Sequence, residues 1–367
     1  MTPEDVQAIC FYLPQYHPIP ENDAWWGRGF TEWRNVTKAR PLFEGHYQPR
    51  LPADLGFYDL RVPEARQAQA DLASQHGIGG FCYYHYWFNG KRLLEQPIEG
   101  VLSSGEPDFP FCLCWANESW TRAWDGRDRE ILLEQHYSAE DDLAHIRSLL
   151  PVFADERYIK VEGKPVFLVY RSNRLPEPAA TTDRWRQEAE KAGFPGIFLV
   201  RVESFPDETG RPGEGGFDAA VEFQPRWWDW NGSRIERRQW WHRRRFGTGE
   251  EAFWKHAIYP YQSAAQRAME RELPDYPLIR CACPSWDNSA RRGENAVILV
   301  DSDPAAYEAW LREIVQQAKQ SYRGAGLDRP MVFINAWNEW AEGNHLEPCQ
   351  QWGLAYLEAT RRSLAAG

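Results

Sequence analysis

Residues 331–343 read MVFINAWNEWAEG, a short apolar run that leads directly into amide, carboxylate and tryptophan side chains. Met331–Ala336 has the continuous apolar character expected of a strand buried on both faces of a parallel sheet. Runs of the same kind recur along the whole chain. The eight predicted strands are Val6–Leu13, Gly80–Trp87, Phe111–Ala116, Pro165–Tyr170, Ile197–Val202, Ala219–Phe223, Leu278–Cys283 and Met331–Ala336.

Amphipathic stretches with helix signals lie between several of these strands. The predicted helices are Pro63–His76, Ser138–Glu156, Thr182–Ala192 and Pro304–Gln320, with Ser138 and Thr182 as candidate N-caps. Eight strands that alternate with helices predict an α/β fold, a (β/α)8 TIM barrel rather than an open doubly wound sheet. No glycine-rich phosphate loop follows the first strand, which is evidence against a nucleotide-binding fold.

Two segments are too long for simple barrel loops. Pro14–Pro52 follows the first strand and Pro225–Pro277 follows the sixth. Long loops after strands belong to the C-terminal face of a barrel, where functional sites are built. Because no linker composition or repeat divides the chain, we expect residues 1–367 to form a single catalytic barrel domain.

Composition excludes several broad classes of protein. The 367 residues include 19 tryptophans and are 14% aromatic, which disfavours a disordered chain. The net charge of −11 argues against general binding of nucleic acid, which depends on neutralising phosphates. The sequence shows no signal-peptide pattern and no run of about 18 apolar residues, so we expect a cytoplasmic protein without a transmembrane segment.

The seven cysteines are predicted to be reduced and buried. Cys112 and Cys114, like Cys281 and Cys283, are spaced for one face of a strand rather than for a structural zinc loop. We therefore predict no metal at these cysteines, and we separately expect no organic cofactor.

Polar and aromatic side chains cluster where the predicted strands end. Aromatic faces stack on the C–H faces of sugar rings, and amide, carboxylate and imidazole groups bind hydroxyls. This mixture predicts a carbohydrate-binding cleft, against the alternative of an aromatic-rich core with satisfied polar groups. The candidate substrate-binding residues are Tyr12, Gln15, Tyr16, Tyr84, His85, Tyr86, Trp87, Asn117, Glu118, Trp120, Glu222, Gln224, Trp286, Asp287, Trp337, Asn338 and Trp340.

Glu339 and Glu342 are the candidate catalytic residues. Cleavage of a glycosidic bond generally needs one protonated and one ionised carboxyl group. The flanking residues Trp337 and Trp340 are expected to supply an apolar wall that raises the pKa of one carboxyl group. The alternatives are that one glutamate binds hydroxyls or caps a helix, or that Glu118 is the acid.

The segment Arg234–Arg245 carries six arginines and one acid, interleaved with Trp240 and Trp241. An anionic glycan, a lipid-linked diphosphate or a membrane surface would fit such a segment. We prefer a solvated helix face, because an isolated basic and aromatic stretch is weak evidence for a ligand.

The motifs at the strand ends resemble the WbsX-type family, which is related to glycoside hydrolase family 99, the endo-α-mannosidases. The resemblance covers nearly the whole chain and adds Trp26, Glu32 and Trp33 to the candidate substrate-binding residues. The motifs that carry it are FYLPQYHPIPEND and WWGRGFTEW within Phe11–Trp33, GGFCYYHYWFNGKRLLE at Gly79–Glu95, CLCWANESWTRAWDG at Cys112–Gly126, FDAAVEFQP at Phe217–Pro225, PSWDNSARR at Pro284–Arg292 and VFINAWNEWAEGNHLEP at Val332–Pro348.

This resemblance implies a retaining mechanism without a covalent glycosyl-enzyme. Glu339 would deprotonate the sugar 2-hydroxyl, which attacks C1, and Glu342 would act as general acid and then as general base. Ala341 and the surroundings of Tyr84–Trp87 depart from the mannosidase pattern. Proteins of the WbsX type are encoded with bacterial polysaccharide-assembly enzymes and were labelled glycosyltransferases.

Three functional hypotheses follow from these observations. The first is a glycoside hydrolase that acts on a bacterial surface polysaccharide, with α-mannoside-like linkages as one candidate. The second is a glycosyltransferase role in O-antigen assembly, and the third is a catalytically silent glycan-binding protein. The oligomeric state is not predicted.

Overall fold

Eight parallel strands form one closed ring in the computed structural model, which describes residues 5–122, 127–230, 234 and 251–365. Seven of them are continuous: β1 (Gln7–Tyr12), β2 (Ile78–Phe88), β3 (Phe111–Trp115), β4 (Lys164–Val169), β5 (Phe198–Glu203), β6 (Ala219–Glu222) and β8 (Met331–Ile334). Strand β7 is interrupted at Arg280 into Leu278–Ile279 and Cys281–Ala282. Each predicted strand is confirmed to within two residues at either end.

The interrupted strand β7 closes the ring. Its first half pairs with β6 through Ala220 and Leu278, and its second half pairs with β8 through Cys281 and Phe333. β8 in turn pairs with β1, so each strand of the ring has two neighbours. All six residues of β1 are buried, which explains why the predicted strands have apolar residues at successive positions. The (β/α)8 barrel is thereby confirmed.

Helices lie between most of the strands. Within the described residues the helices are α1 (Pro20–Trp26), α2 (Trp33–Lys38), α3 (Pro63–Gln75), α4 (Gln96–Ser104), α5 (Ala139–Phe153), α6 (Pro178–Lys191), α7 (Ala252–Lys255), α8 (Tyr261–Glu270), α9 (Pro304–Ser321) and α10 (Ala355–Ala365). In the described residues between β5 and β6, the connection contains only the 3-10 turns Pro206–Glu208 and Pro212–Gly215. The alternation of strands with helices is therefore incomplete at this one position.

Several short elements extend the barrel. Lys91–Leu93 pairs with β2, and Lys160–Val161 pairs with β4. The other short strands are Trp120–Arg122 with Arg127–Leu133, Ala257–Pro260 with Val297–Val300, and Asn338–Glu339 with Asn344–His345. The remaining 3-10 turns are Ser172–Arg174, Trp227–Trp230, Asn288–Ala290, Tyr322–Ala325 and Trp340–Glu342.

The prediction that Thr182 caps a helix is wrong. Helix α6 begins four residues earlier, at Pro178, because proline suits the first helical position, where its missing N–H is not needed. Thr182 is buried inside the helix, and its hydroxyl donates to the carbonyl oxygen of Ala179.

All seven cysteines are buried and carry free thiols, as predicted. Within the described ranges, no helix is both long and apolar enough to span a bilayer. The arginine-rich segment Arg234–Arg245 lies outside the described residues except for Arg234, which donates a hydrogen bond to the carbonyl oxygen of His256.

Ser138 is the N-cap of α5, as predicted. Its hydroxyl accepts a hydrogen bond from the backbone N–H of Asp141 at 3.1 Å. We expect Ser138→Ala to lower the free energy of unfolding by about 1 kcal/mol, since it leaves a helix N–H without its acceptor. Ser138→Asp keeps an acceptor and should stay near wild type in the same urea unfolding experiment. Equal losses in both variants would contradict the capping role.

Candidate functional site

A cavity of about 330 Å³ lies over the C-terminal ends of the barrel strands. Leu13, Tyr170 and Phe223 follow β1, β4 and β6, so the convergence of parallel strands brings distant segments together there. The lining residues are Leu13, Gln15, Asn22, Trp25, Trp26, Tyr84, Tyr86, Ala116, Glu118, Ser119, Trp120, Thr121, Leu132, Tyr170, Phe223, Trp286, Arg291, Glu339 and Glu342. Aromatic rings and acidic groups therefore face the same space.

Glu339 and Glu342 are held by a tight hairpin after β8. Asn338–Glu339 pairs antiparallel with Asn344–His345, and a single 3-10 turn, Trp340–Glu342, connects them. Gly343 ends that turn with a φ of 58°, and a Cβ atom at this position would lie 2.9 Å from atoms of Arg50 and Asp287. Only glycine fits there, and the close packing fixes the hairpin against the loop after β7.

The guanidinium group of Arg291 binds three glutamates. Its Nη2 lies 2.9 Å from Glu339 Oε2, and its Nη1 lies 2.7 Å from Glu342 Oε1. Its Nε lies 3.2 Å from Oε2 of Glu32, a residue with no exposed surface. The two candidate catalytic carboxylates are therefore bound to the two terminal nitrogens of one cation, in a group of charges that is largely removed from water.

Burial raises the pKa of both Glu339 and Glu342. Arg291 lowers the pKa of each, and the negative charge of Glu32 raises it, but desolvation is the largest cause for both. The side chain of Glu339 is 6% exposed and that of Glu342 is 21% exposed. The pair therefore retains a proton at pH values where an isolated glutamate is ionised.

The structure brings nine of the sequence-predicted site residues to the cavity wall: Gln15, Trp26, Tyr84, Tyr86, Glu118, Trp120, Trp286, Glu339 and Glu342. The others are buried behind it. These are Tyr12, Tyr16, Glu32, Trp33, His85, Trp87, Asn117, Glu222, Gln224, Asp287, Trp337, Asn338 and Trp340.

Residues behind the hairpin hold it in place. The side-chain amide of Asn338 makes two hydrogen bonds to the backbone of Leu13, at 2.7 and 3.0 Å. The indole N–H of Trp340 donates to Glu347 at 2.6 Å, and its ring stacks on His345 with centroids 3.7 Å apart. Trp337 is also fully buried. Trp337 and Trp340 therefore support the glutamates from behind rather than lining the cavity beside them.

Tyr12, Tyr16 and Trp33 make hydrogen bonds within the core of the same region. The hydroxyl of Tyr12 donates to Gln69, and the hydroxyl of Tyr16 donates to the carbonyl oxygen of Asn338. The indole N–H of Trp33 donates to a backbone carbonyl oxygen at 2.8 Å.

Asp287 likewise has structural partners. Its Oδ2 accepts hydrogen bonds from Gln48 and His46, both at 2.7 Å, and its backbone N–H donates to the carbonyl oxygen of Glu342 at 2.6 Å. The hydrogen bond from His46 is the main reason that the pKa of Asp287 falls to about 2. Asp287 thus connects the loop after β7 to the turn that contains Glu342.

Two other predicted residues are bound on the far side of β2. His85 lies 2.9 Å from His145 through their Nε2 atoms, and burial lowers the pKa of His85 to about 3. The indole N–H of Trp87 donates to Asp141 at 2.9 Å.

The remaining buried residues lie near the ends of β3 and β6. Asn117 exchanges two hydrogen bonds with the backbone of Arg171. Glu222 forms ion pairs with Arg271 and Arg280, at 2.8 and 2.9 Å. Gln224 accepts a hydrogen bond from the backbone N–H of Arg226.

Glu118, the alternative acid, has a cation of its own. Its carboxylate lies 2.6 Å from Arg171, and its side chain is 41% exposed. It lines the cavity but does not share Arg291 with the other two acids. Glu339 and Glu342 are therefore the pair whose geometry fits coupled proton transfer.

Comparison with known proteins identifies the family of this chain. The family model described as "Glycosyltransferase WbsX" matches residues 8–360. The chain belongs to this family. Two relatives, both described as "Uncharacterized protein WxcX" and found in two strains of Xanthomonas campestris pv. campestris, are 46% and 47% identical to it over 367 residues. The match covers 99% of this chain but 50% of each relative, so the chain spans about half the length of these curated relatives.

Solved structures with the same fold include glycoside hydrolases. The family 99 endo-alpha-mannosidase from Bacteroides thetaiotaomicron has a TM-score of 0.57 at 14% identity, with 99% of this chain and 98% of that chain covered. A second structure, described as a "Glycoside hydrolase-like protein", has a TM-score of 0.58 at 14% identity and covers 98% and 94%. At these identities the likeness shows that this WbsX-family chain shares the fold of those proteins, and it shows nothing about activity.

Several lining residues of this WbsX-family cavity were not predicted from the sequence, above all Arg291. Arg291 lies inside the motif PSWDNSARR. Because Glu32, Glu339 and Glu342 were all predicted for one site, a neighbouring cation was to be expected there. Tyr170 ends the fourth predicted strand and was detectable by the same rule as the other strand ends. Asn22 and Trp25 lie on α1, inside the long loop after β1, where no strand end marks them.

In the parts of the chain that the structure describes, no cluster of three or more histidine, cysteine, aspartate or glutamate residues has the arrangement of a metal site. The acids of the cavity are instead bound by arginine.

Asn22 combines a wall position in the cavity with unsatisfied polar atoms. It is 1% exposed, and neither its amide nitrogen nor its amide oxygen has a hydrogen-bond partner among the described residues. We expect Asn22→Leu to raise the free energy of unfolding by about 1–2 kcal/mol, because it replaces an unpaired buried amide with an apolar group of similar size.

Asn117→Leu is the matched control in chemical denaturation. Asn117 is equally buried but fully bonded to Arg171, so its replacement should lower the free energy of unfolding by about 1–3 kcal/mol. A loss of stability in both variants would show that the amide of Asn22 is satisfied within the fold.

Proposed function

We propose that this chain is a glycoside hydrolase that cleaves a bacterial polysaccharide, with residues 1–367 as one catalytic barrel domain. The observation that carries the proposal is the pair Glu339 and Glu342, bound to one guanidinium group in a cavity lined by aromatic rings. Such a cavity offers stacking surfaces for sugar rings beside two carboxyl groups that share a proton. One structural neighbour, the family 99 protein from Bacteroides thetaiotaomicron, is an endo-alpha-mannosidase, which supports an α-mannoside-like linkage as the first to test.

In the proposed mechanism the two glutamates have separate roles. Glu342, the more exposed of the pair, donates a proton to the leaving oxygen and later activates water. Glu339, the more deeply buried, accepts the proton of the sugar 2-hydroxyl as that oxygen attacks C1. The C1–leaving-oxygen bond breaks as the new C1–O2 bond forms. Water, which gives a proton to Glu342, then attacks C1 while the C1–O2 bond breaks and Glu339 returns its proton to O2, with net retention of configuration.

A transferase role is the second candidate, and the name of the family, glycosyltransferase, favours it. It needs the same cavity, since an acid and a base can also transfer a sugar to another sugar hydroxyl instead of to water. The two roles differ in the acceptor, so the products distinguish them.

Product analysis of Glu342→Gln beside wild type tests the proposal. The variant keeps the shape of the side chain but has no proton to donate, so cleavage should fall by about 10²–10⁴-fold while binding is retained. The substrates are α-mannans and bacterial O-antigen polysaccharides. New reducing ends are counted, and NMR of the first products identifies their anomeric configuration.

Retention of configuration together with dependence on Glu342 would support the hydrolase. Formation of longer chains without new reducing ends would favour the transferase. Binding that survives replacement of both glutamates, with no product from wild type, would contradict both and leave a glycan-binding protein.

The pH–rate profile of cleavage should be bell-shaped. Activity requires one protonated and one ionised carboxyl group, so it is lost at low pH when both are protonated and at high pH when both are ionised. Because burial raises the pKa of Glu339 and of Glu342, both limbs should lie above the usual range for glutamate. Initial rates measured from mildly acid to alkaline pH check this. A flat profile, or an alkaline limb near pH ~4–5, would count against the pair.

A further inference from the structure

Glu32 is an acid of the site that no substrate in the cavity can reach. It has no exposed surface and is absent from the cavity wall, although sequence analysis assigned it to substrate binding. Its Oε1 accepts a hydrogen bond from Gln15 at 2.8 Å, and its Oε2 binds Arg291 Nε at 3.2 Å. A fully buried carboxylate is costly to retain unless its charge serves the structure or the reaction.

The position of Glu32 on the guanidinium group gives its role. Arg291 offers its two terminal nitrogens to Glu339 and Glu342, and Glu32 binds the third nitrogen, Nε, on the side nearer the chain. The rotation of the guanidinium plane is therefore fixed at three points. We propose that Glu32 is a positioning residue that acts through Arg291 and holds Glu339 and Glu342 in register with one another.

Glu32 also sets the charge of the group. Three ionised carboxylates against one guanidinium give a net charge of −2, so one cation is not enough to neutralise them. A proton bound by Glu339 or Glu342 relieves this repulsion, and the charge of Glu32 raises the pKa of both. Without Glu32, Arg291 would neutralise a larger part of the charge on the other two acids.

Other titratable groups face the same cluster. Electrostatic effects connect Tyr16 and Tyr86 with Glu32 and Glu339, Tyr84 with Glu339 and Glu342, and Arg292 with Glu342. Burial raises the pKa of each of these three tyrosines, and arginine stays protonated, so none of them changes charge between about pH 5.5 and pH 8. Over this range Glu339 and Glu342 are the members of the cluster whose charge changes.

Thermal unfolding of Glu32→Gln at about pH 5.5 and about pH 8 tests the role without a substrate. An acid whose pKa is raised in the folded state stabilises the fold below that pKa and loses this contribution as pH rises. Removing the negative charge of Glu32 should make the pKa of Glu339 and of Glu342 less raised. The stability lost between about pH 5.5 and about pH 8 should then be smaller than in wild type. We therefore expect the Tm of Glu32→Gln to lie further below wild type at pH 5.5 than at pH 8, by about 1–3 °C.

Glu222→Gln is the matched control for these melts. Glu222 is also fully buried and bound by arginines, but its pKa is lowered, so it stays ionised across the whole pH range. Its replacement should lower Tm equally at the two pH values. Glu339→Gln, which removes a titrating member, should show the same pH difference as Glu32→Gln.

The negative charge of Glu32 should also affect the pH–rate profile. Glu32 serves catalysis only if Glu339 and Glu342 are the acid–base pair of the proposed function. In that case Glu32→Gln should move the alkaline limb of the pH–rate profile to lower pH and reduce kcat more than it raises KM. Glu32→Asp keeps the charge and should leave the limb near its wild-type position.

The outcomes separate the two proposals. An equal loss of Tm at both pH values, or an alkaline limb that does not move, would overturn the positioning role and leave Glu32 as a packing residue. If wild type cleaves no glycan, the proposed function fails by itself, and the melts alone then decide whether Glu32 controls the charge of the pair.

Discussion

One cation shared by three acids, two of them buried and the third only partly exposed, is the constraint on which the site depends. Arg291 reaches Glu339 and Glu342 with its terminal nitrogens and Glu32 with Nε, so the loop after β7, the hairpin after β8 and the long loop after β1 meet at one guanidinium group. These segments follow three strands that are neighbours in the ring, although β1 lies far from β7 and β8 in the sequence. Because an unpaired charge that is largely removed from water is costly, a movement of any one of the four side chains weakens the ion pairs of the others.

The packing around the hairpin follows from that constraint. The side chain of Asn338 binds the backbone of Leu13 at the start of the hairpin. The indole N–H of Trp340 donates a hydrogen bond to Glu347. The backbone N–H of Asp287 donates one to the carbonyl oxygen of Glu342. Gly343 permits Arg50 and Asp287 to pack closely against the turn, because it has no side chain. Together these contacts orient the two candidate catalytic carboxylates from behind, so the space in front is left for a substrate.

Sequence patterns predicted the barrel more completely than the site. The apolar runs of the strands are local signals, which is why Met331–Ala336 and its counterparts matched the observed strands so closely. Which side chain faces the cavity depends instead on the backbone conformation of each loop and on the residues with which its side chains form hydrogen bonds. Asp287 and Trp340 follow strands and have polar groups, yet those groups are bound within the protein, whereas Asn22 lies on a helix without any strand-end signal. Arg291 was missed because arginine was not among the residue types expected to bind sugar hydroxyls.

The contact between His85 and His145 limits the acidity that the fold can tolerate. Both imidazoles are buried, and desolvation lowers the pKa of each, so the native protein keeps them neutral. In the unfolded chain the same rings take up protons near pH ~6.5. Unfolding therefore binds protons at these two positions, and their contribution to stability declines as pH falls below that value. The stacked rings of Trp87 and His145, which pack β2 against α5, thus become a point where acid unfolding of the barrel is favoured.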